Sequence, residues 1–215
     1  MKVAIIGATG FVGSKLVDEA LARGLIVTAI SRDTSKITDD RVSKVSVDVT
    51  DVDKLTEVLK GHDTVISAFN AGWKNPNIYD DFIVGAKAIQ NAVKNAGINR
   101  LIVVGGAGSL YVSEDTQLID TPDFPEDIKP GALAARDYFN LLKEEKDLNW
   151  AFFSPAIEMH PGIATGKTGN YRLGKTTPVF DANIVSRMSV EDVAVVLLDE
   201  TENPKHHQEQ FTAAY

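Results

Sequence analysis

A chain of 215 residues, 44% of them hydrophobic, is long enough to bury a core of its own, as one large domain or a domain with a small appendage. It has no cysteine, which excludes disulfides, thiolate metal sites and a cysteine nucleophile. Its formal net charge is −8 with no basic cluster, which argues against nucleic acid as a partner, and no apolar run approaches membrane-spanning length.

Lys2 to Ile6 reads as a short buried strand ended by Gly7. Gly7, Gly10 and Gly13 follow at three-residue spacing. A helix opens across the last two and runs from about Phe11 to Arg23, with Leu16, Val17, Ala20 and Leu21 on its buried face. Strand, glycine turn, helix is the order that a dinucleotide phosphate site needs. Gly7 permits the tight turn, Gly10 the close approach of a pyrophosphate, and Gly13 the packing of helix on strand. Free N–H groups and partial positive charge at the helix start complement the anion. Gly7, Ala8, Thr9, Gly10, Phe11 and Val12 are therefore expected to form the cradle.

Leu25 to Ile30 is a second strand. Ser31 and Arg32 stand at its end, where dinucleotide folds read the adenosine ribose. An acid there would bond the ribose 2′-hydroxyl and repel a 2′-phosphate. A hydroxyl beside a guanidinium suits a 2′-phosphate, which favours NADP(H) and leaves NAD(H) as the other option, with Asp33 pulling towards it. Lys44 to Val47 is a third strand. Asp48 at its edge is expected either to accept the adenine amino group or simply to hold a turn. Thr50 or Asp51 caps a helix carrying Leu55, Val58 and Leu59. Asp63 to Ser67 is a fourth strand, and the stretch from Ser67, Ala68 and Phe69 to Gly72 leaves room for a flat ligand. Asn75 to Gly97 reads as a long helix, and Leu101 to Val104 as a fifth strand ending in Gly105, Gly106 and, three residues on, Ser109.

This strand–helix alternation with unbroken apolar strands predicts an α/β fold: a doubly wound, mainly parallel sheet covered by helices on both faces. Right-handed crossovers place every strand C-terminus on one edge, so five loops converge on one crevice. The long segment from Gly106 to Gly131 is expected to wall that crevice, its Leu110, Tyr111, Leu118, Ile119 and Phe124 tucked against the fold. A helix from about Pro130 to Lys146 and a sixth strand, Trp150 to Phe153, lead to Ser154. One nucleotide-binding domain is expected over residues 1–215, with a small substrate-side excursion at about 154–188. That excursion is predicted to hold a strand pair near Tyr171–Leu173 and Pro178–Phe180. Ser189 to Asp192 forms a capping-box pattern before a last helix, and Gln210 to Ala213 is expected as a final edge strand.

GATGFVG at the start, VVGGAGSL after the fifth strand, DTPDFP in the long loop, and WAFFSPA followed by TGKTGNYRLG resemble the Rrf2-linked NADH-flavin reductases over nearly the whole chain. They resemble biliverdin reductase B and the NmrA-like regulators more distantly. These are atypical relatives of the short-chain dehydrogenases. The resemblance implies a Rossmann fold with strand order 3-2-1-4-5-6, a nicotinamide cofactor, and Pro155 and Ala156 beside the nicotinamide.

Short-chain dehydrogenases generally carry Tyr-x-x-x-Lys on the helix after the fifth strand, the lysine lowering the pKa of a proton-donating tyrosine. Here Tyr138 is followed four residues later by Leu142, with Lys143 one step off. The literal match, Tyr171 to Lys175, lies outside that helix and reads as coincidence. Hydride transfer to a flavin asks less of a protein, because the acceptor ring spreads its own charge. The expected activity is an NAD(P)H-dependent reductase of a flavin (FMN or FAD) or a similar flat acceptor. The alternatives are a non-catalytic, NmrA-like redox sensor and, more remotely, a sugar-nucleotide epimerase. Ser109 could bond a ring carbonyl and His160 could donate a proton. His62, His206 and His207 read as surface residues, and no metal motif is present. The expected partner is a small-molecule substrate, with neither nucleic acid nor membrane involved. The expected compartment is the cytoplasm, since Met1 runs directly into a core strand. The oligomeric state is left open.

Overall fold

Runs such as Val3–Ile6 have no polar side to turn to water, so they form strands buried on both faces. The computed structural model describes all residues from Met1 to Tyr215. Its elements are β1 (Lys2–Ile6), α1 (Phe11–Ala22), β2 (Ile26–Ser31), β3 (Ser43–Ser46), α2 (Val52–Leu59), β4 (Thr64–Ser67) and α3 (Ile78–Asn95). There follow β5 (Arg100–Val104), α4 (Lys129–Leu142), β6 (Asn149–Ser154), β7 (Arg172–Gly174), α5 (Val190–Glu202) and β8 (Glu209–Ala214). One eight-stranded sheet runs β3-β2-β1-β4-β5-β6-β8-β7. Every pairing is parallel except β7 with β8. The first six strands keep the order that the resemblance implied.

The strands divide the apolar residues between two cores. Ala4, Ile6, Val65, Leu101 and Phe152 face α2, α3 and α4. Val3, Ile5, Ile66, Phe153 and Phe211 face α1 and α5. No helix is long and apolar enough to cross a membrane.

Two expectations about the C-terminal part are corrected. Residues 171–173 do not pair with 178–180; β7 lies antiparallel on β8, with Arg172 opposite Ala214 and Gly174 opposite Thr212. Consequently β8 is not an edge strand: β6 flanks it on one side and β7 on the other. Both of its hydrogen-bonding edges are thereby covered, and Gln210 to Ala214 are all buried. The long segment after β5 contains two short 3-10 turns, Ala107–Ser109 and Leu118–Asp120, and a single bridge between Tyr111 and Gln117. Leu110, Ile119 and Phe124 are buried, as expected of a segment that packs beside α4.

The histidines are also corrected. His206 is buried at the N-terminal edge of the sheet, its Nδ1 2.7 Å from Glu200 Oε2 and its ring stacked on Phe211 at 4.3 Å. Arg100 donates to the same carboxylate at 2.6 Å, so Glu200 is held by both side chains. His62 is half-buried and bonds Leu59 O and Thr28 Oγ1. His207 alone is exposed among the three.

Helices α3 and α4 are held together at one end by Glu145. Burial alone would raise its carboxyl, but bonds from Lys94 Nζ (3.0 Å), the Asp147 N–H (2.7 Å) and Gln90 Nε2 (2.8 Å) outweigh it and bring it to about 2. The folded value lies below the ordinary 4.5, so this stabilisation is complete above about pH 4.5 and is lost as pH falls towards 2. Glu145→Gln is expected to lose about 1–2 kcal/mol at pH 7, or roughly 2–8 °C in melting temperature. Thermal melts should show the gap from wild type closing as the solution is acidified through that window; a constant gap would contradict the assignment.

Candidate functional site

The parallel register brings the strand ends to one line. Ile6 pairs with both Ile30 and Ser67, Ser67 with Val103, and Val104 with Phe153. The chain order reverses between β1 and β4, and such a switch point is where an open α/β sheet leaves a crevice.

The glycine turn sits at that point. Gly7 has φ +78°, a conformation that L side chains rarely adopt. Its N–H and that of Ala8 both donate to Ile30 O, at 2.9 and 3.2 Å, which ties the turn to β2. A Cβ at Gly7 would lie 2.4 Å from Ala68 O, and one at Gly13 would lie 2.0 Å from Gly7 O. The turn, the helix and the β4 loop therefore touch through bare backbone. Helices α2 and α5 are capped by Asp51 and Ser189, whereas α1, like α3 and α4, has no side-chain cap. The N–H groups of Thr9, Phe11, Val12 and Gly13 have no acceptor within the protein, and Ser14 makes the first helical bond, to Gly10 O. Several aligned donors beside a cleft are what a pyrophosphate takes up, so the residues present fit a dinucleotide.

On the β2 side, Ser31 Oγ and Thr9 Oγ1 bond each other at 2.7 Å, joining the turn to the ribose position. Arg32 is exposed and makes no ion pair, while its carbonyl accepts Ser46 Oγ at 2.7 Å. Asp33 accepts the Ser35 N–H at 2.9 Å, so its carboxylate serves its own turn. Asp48 does likewise, Oδ1 accepting the Thr50 N–H at 3.0 Å and hydroxyl at 2.7 Å. Those bonds, with a smaller effect of the Arg32 charge, hold Asp48 below the usual carboxylate range.

On the β4 to β6 side, Ser67 is buried and the Ala68 N–H donates to Ile6 O at 2.9 Å. Phe69 stacks on Phe82 at 5.8 Å, so its ring belongs to the core and its backbone to the crevice. Gly105 N–H donates to Phe153 O at 2.8 Å, and a Cβ at Gly106 would meet nothing within 4 Å. Pro155 and Ala156 follow β6 and are both buried.

Ser109 differs from expectation. It is 2% exposed, and its hydroxyl bonds Gly106 O (3.0 Å), Ser154 Oγ (2.9 Å) and Gln210 Nε2 (3.0 Å). Gln210 also reaches Ser154 Oγ at 2.8 Å. This buried triangle braces the β5 turn against β6 and β8, and leaves Ser109 no free bond for a ligand. His160 is exposed on the excursion, with Nδ1 accepting the Gly162 N–H at 3.1 Å. That acceptor role leaves Nε2 to carry the proton of the neutral ring.

No tyrosine–lysine relay forms. Tyr138 is 1% exposed and donates to Gln90 Oε1 at 3.2 Å, and burial pushes its hydroxyl pKa upward. Lys143 lies over the Phe139 ring, 5.0 Å from its centre. Tyr171 donates to Asp199 Oδ2 at 2.6 Å while Lys175 pairs with Glu209, so those two serve different partners. No group of acidic or imidazole side chains could hold a metal ion.

Sequence reasoning missed Gln210 and Asp192. Asp192 is wholly buried and accepts from the Thr168 N–H and hydroxyl, the Gly169 N–H and the Tyr215 hydroxyl. It clasps the TGKTGN stretch of the excursion to α5. The signal for Gln210 was a polar residue inside an apolar strand; for Asp192 a second carboxylate in a first turn looked like ordinary helix-end charge.

Residues 7–201 match the family described as NAD(P)H-binding. The chain is 37% identical to the uncharacterized protein YwnB of Bacillus subtilis, over 99% of this chain and 97% of that one. A crystal structure from Bacteroides thetaiotaomicron, proposed to be an epimerase, superposes with TM-score 0.89 at 47% identity, covering 100% of this chain and 96% of that one. A Streptococcus pneumoniae protein proposed to be an NADH-flavin reductase superposes with TM-score 0.85 at 38% identity, covering 100% and 99%. The fold is that of these relatives.

Gly13→Ala tests the backbone contact. Overpacking of this kind is expected to cost about 1–3 kcal/mol, because a methyl group has nowhere to go against Gly7 O. Calorimetry should find dinucleotide binding lost in a protein that still melts cooperatively; full affinity would refute the cradle.

Proposed function

This chain belongs to the NAD(P)H-binding family of oxidoreductases, and we propose that it is a reductase that passes hydride from the nicotinamide to a flavin or a similar flat conjugated acceptor. The observation that carries this reading is the pairing of an intact cradle with a buried, engaged Tyr138 and a displaced Lys143. Reduction of a carbonyl needs a positioned acid at the developing alkoxide. Reduction of a ring that delocalises its own charge does not. The epimerase reading would require the same absent relay. The likeness to a proposed NADH-flavin reductase over the full chain supports the choice.

The dinucleotide, when bound, supplies the hydride. The protein binds its pyrophosphate through the N–H groups of Thr9, Phe11, Val12 and Gly13. Backbone at Ala68, Phe69, Gly105 and Gly106, together with Pro155 and Ala156, would line the other end of the crevice. The Ser109–Ser154–Gln210 triangle holds that end rigid. Orientation and exclusion of water are the protein's contributions.

The preferred cofactor is NADPH. Ser31 and Arg32 flank the ribose position, Arg32 has no competing carboxylate bond, and Asp33 and Asp48 spend theirs on local turns. Calorimetry with Arg32→Ala is expected to show NADPH affinity reduced at least about tenfold, the worth of one charge-assisted contact, with NADH little altered. Equal losses for both cofactors would overturn the 2′-phosphate assignment.

Anaerobic mixing with NADPH and FMN, followed at the nicotinamide absorbance, is expected to show oxidation of the cofactor. Tight NADPH binding without consumption in the presence of any flavin or quinone would sink the reductase reading and leave a dinucleotide sensor.

A further inference from the structure

The edge that carries the cradle also displays one large side chain the reading above leaves unused. Trp73 is 60% exposed, whereas Trp150 is 2% exposed and donates its N–H to Glu145 O. An exposed indole offers a flat apolar face together with a polar N–H, and a rigid setting keeps that face available for stacking.

The setting is rigid. Trp73 stands in the loop between β4 and α3. Asn70 Oδ1 accepts the Gly72 N–H at 2.7 Å, and the Asn75 N–H donates to Gly72 O at 2.9 Å. Asn75 in turn bonds the Asn77 N–H through Oδ1 and Asp81 Oδ2 through Nδ2. The indole is seated as well as held. A Cβ at Gly131 would lie 2.8 Å from its Cζ3, so the six-membered ring rests on bare backbone in the first turn of α4. Glycine inside a helix is unfavourable by about 1 kcal/mol relative to alanine, yet here it makes the seat.

Location selects the occupant. The loop containing Trp73 leaves the C-terminal end of β4, directly at the switch point, and α4 begins on the same edge because it crosses over from β5 to β6. The adenosine half of the crevice lies the other way, towards β2 and β3. Trp73 therefore lies on the side of the crevice away from the adenosine half. We propose that Trp73 is a binding residue for the hydride acceptor, its indole face stacking on a flat conjugated ring of the isoalloxazine type. The proposal rests on the reductase reading and adds the wall against which the acceptor lies. Its pre-set position lowers the ordering cost of binding, and the indole N–H, which bonds nothing within the protein, is free for a ring carbonyl.

Fluorescence separates this proposal from the reading it rests on, because it needs no turnover. FMN titrated into protein saturated with NADP+ is expected to quench wild-type tryptophan emission. Trp73→Phe, which retains only Trp150, should lose most of that saturable quench at equal FMN. In steady-state assays Trp73→Ala is expected to raise the KM for FMN by about 5- to 150-fold, the range aromatic stacking on a base is worth, with kcat changed less than about threefold. Trp73→Phe should recover most of the KM. Gly131→Ala should raise it by displacing the indole without touching the acceptor; because the new methyl also meets Ile78 Cδ1 at 2.8 Å, some loss of melting temperature is expected with it. Wild-type KM in Trp73→Ala, or loss in that variant of a dimer formed by wild type in sedimentation, would overturn the proposal. Saturable Trp73 quenching with no hydride transfer would keep the binding site and reject the reductase.

Discussion

Everything at the ligand edge depends on how closely backbone meets backbone at Gly7, Gly13 and Ala68. With a methyl group at either glycine, atoms would come within 2.0 to 2.4 Å of a carbonyl oxygen. That contact sets the angle at which α1 leaves β1, and so aims its uncapped N–H groups at the crevice. The same turn is anchored from the opposite side by Ile30 O, which takes two N–H donors. A helix start with unmet donors has a cost that a capping side chain would normally relieve. α3 and α4 also lack a side-chain cap, so what sets α1 apart is that its free donors follow the glycine turn at the switch point, where an anion can take them up.

The chemistry at the other end of the crevice follows from what has been withdrawn. Hydroxyls that could act on a substrate are turned inward: Tyr138 to Gln90, Ser109 to Ser154 and Gln210, Tyr171 to Asp199. Each bond satisfies a polar group in a low-dielectric interior, where an unmet one would be costly. The result is a stiff frame that lacks a proton relay on α4. A site of this kind suits a reaction whose difficult step belongs to the reacting rings, with the protein contributing alignment. Trp73, on its glycine seat, adds a planar surface to that alignment.

The C-terminal third shows how the sheet is finished. Strand β8 lies inside the sheet, and its N–H and C=O groups find partners on both sides. β6 supplies one and the short β7 the other, drawn from the excursion. The excursion is tied down again by Asp192, which accepts several donors at once, and by the Lys167–Glu19 pair at 2.6 Å. For Asp192, burial opposes the charge, yet these hydrogen bonds keep its carboxyl below the ordinary range. The segment that frames the substrate side is thereby joined to α1 and α5, the helices beneath the cradle.

The amino-acid sequence determined the elements whose cause is local. Apolar runs of four to six residues between glycine turns can only be buried parallel strands, and the spacing of Gly7, Gly10 and Gly13 has meaning within one strand–turn–helix unit. Arg32 and Asp48 could be placed because each ends a strand of fixed direction. Tertiary structure alone decided what depends on partners distant in the chain. Whether Ser109 faces a ligand or a brace rests on Gln210, about a hundred residues away. Whether His206 is wet or buried rests on Arg100 and Glu200. Whether residues 171–173 pair with their neighbours or with β8 rests on which strand has an uncovered edge. A side chain's type and its near neighbours specify its local conformation; only the folded sheet specifies what stands opposite it.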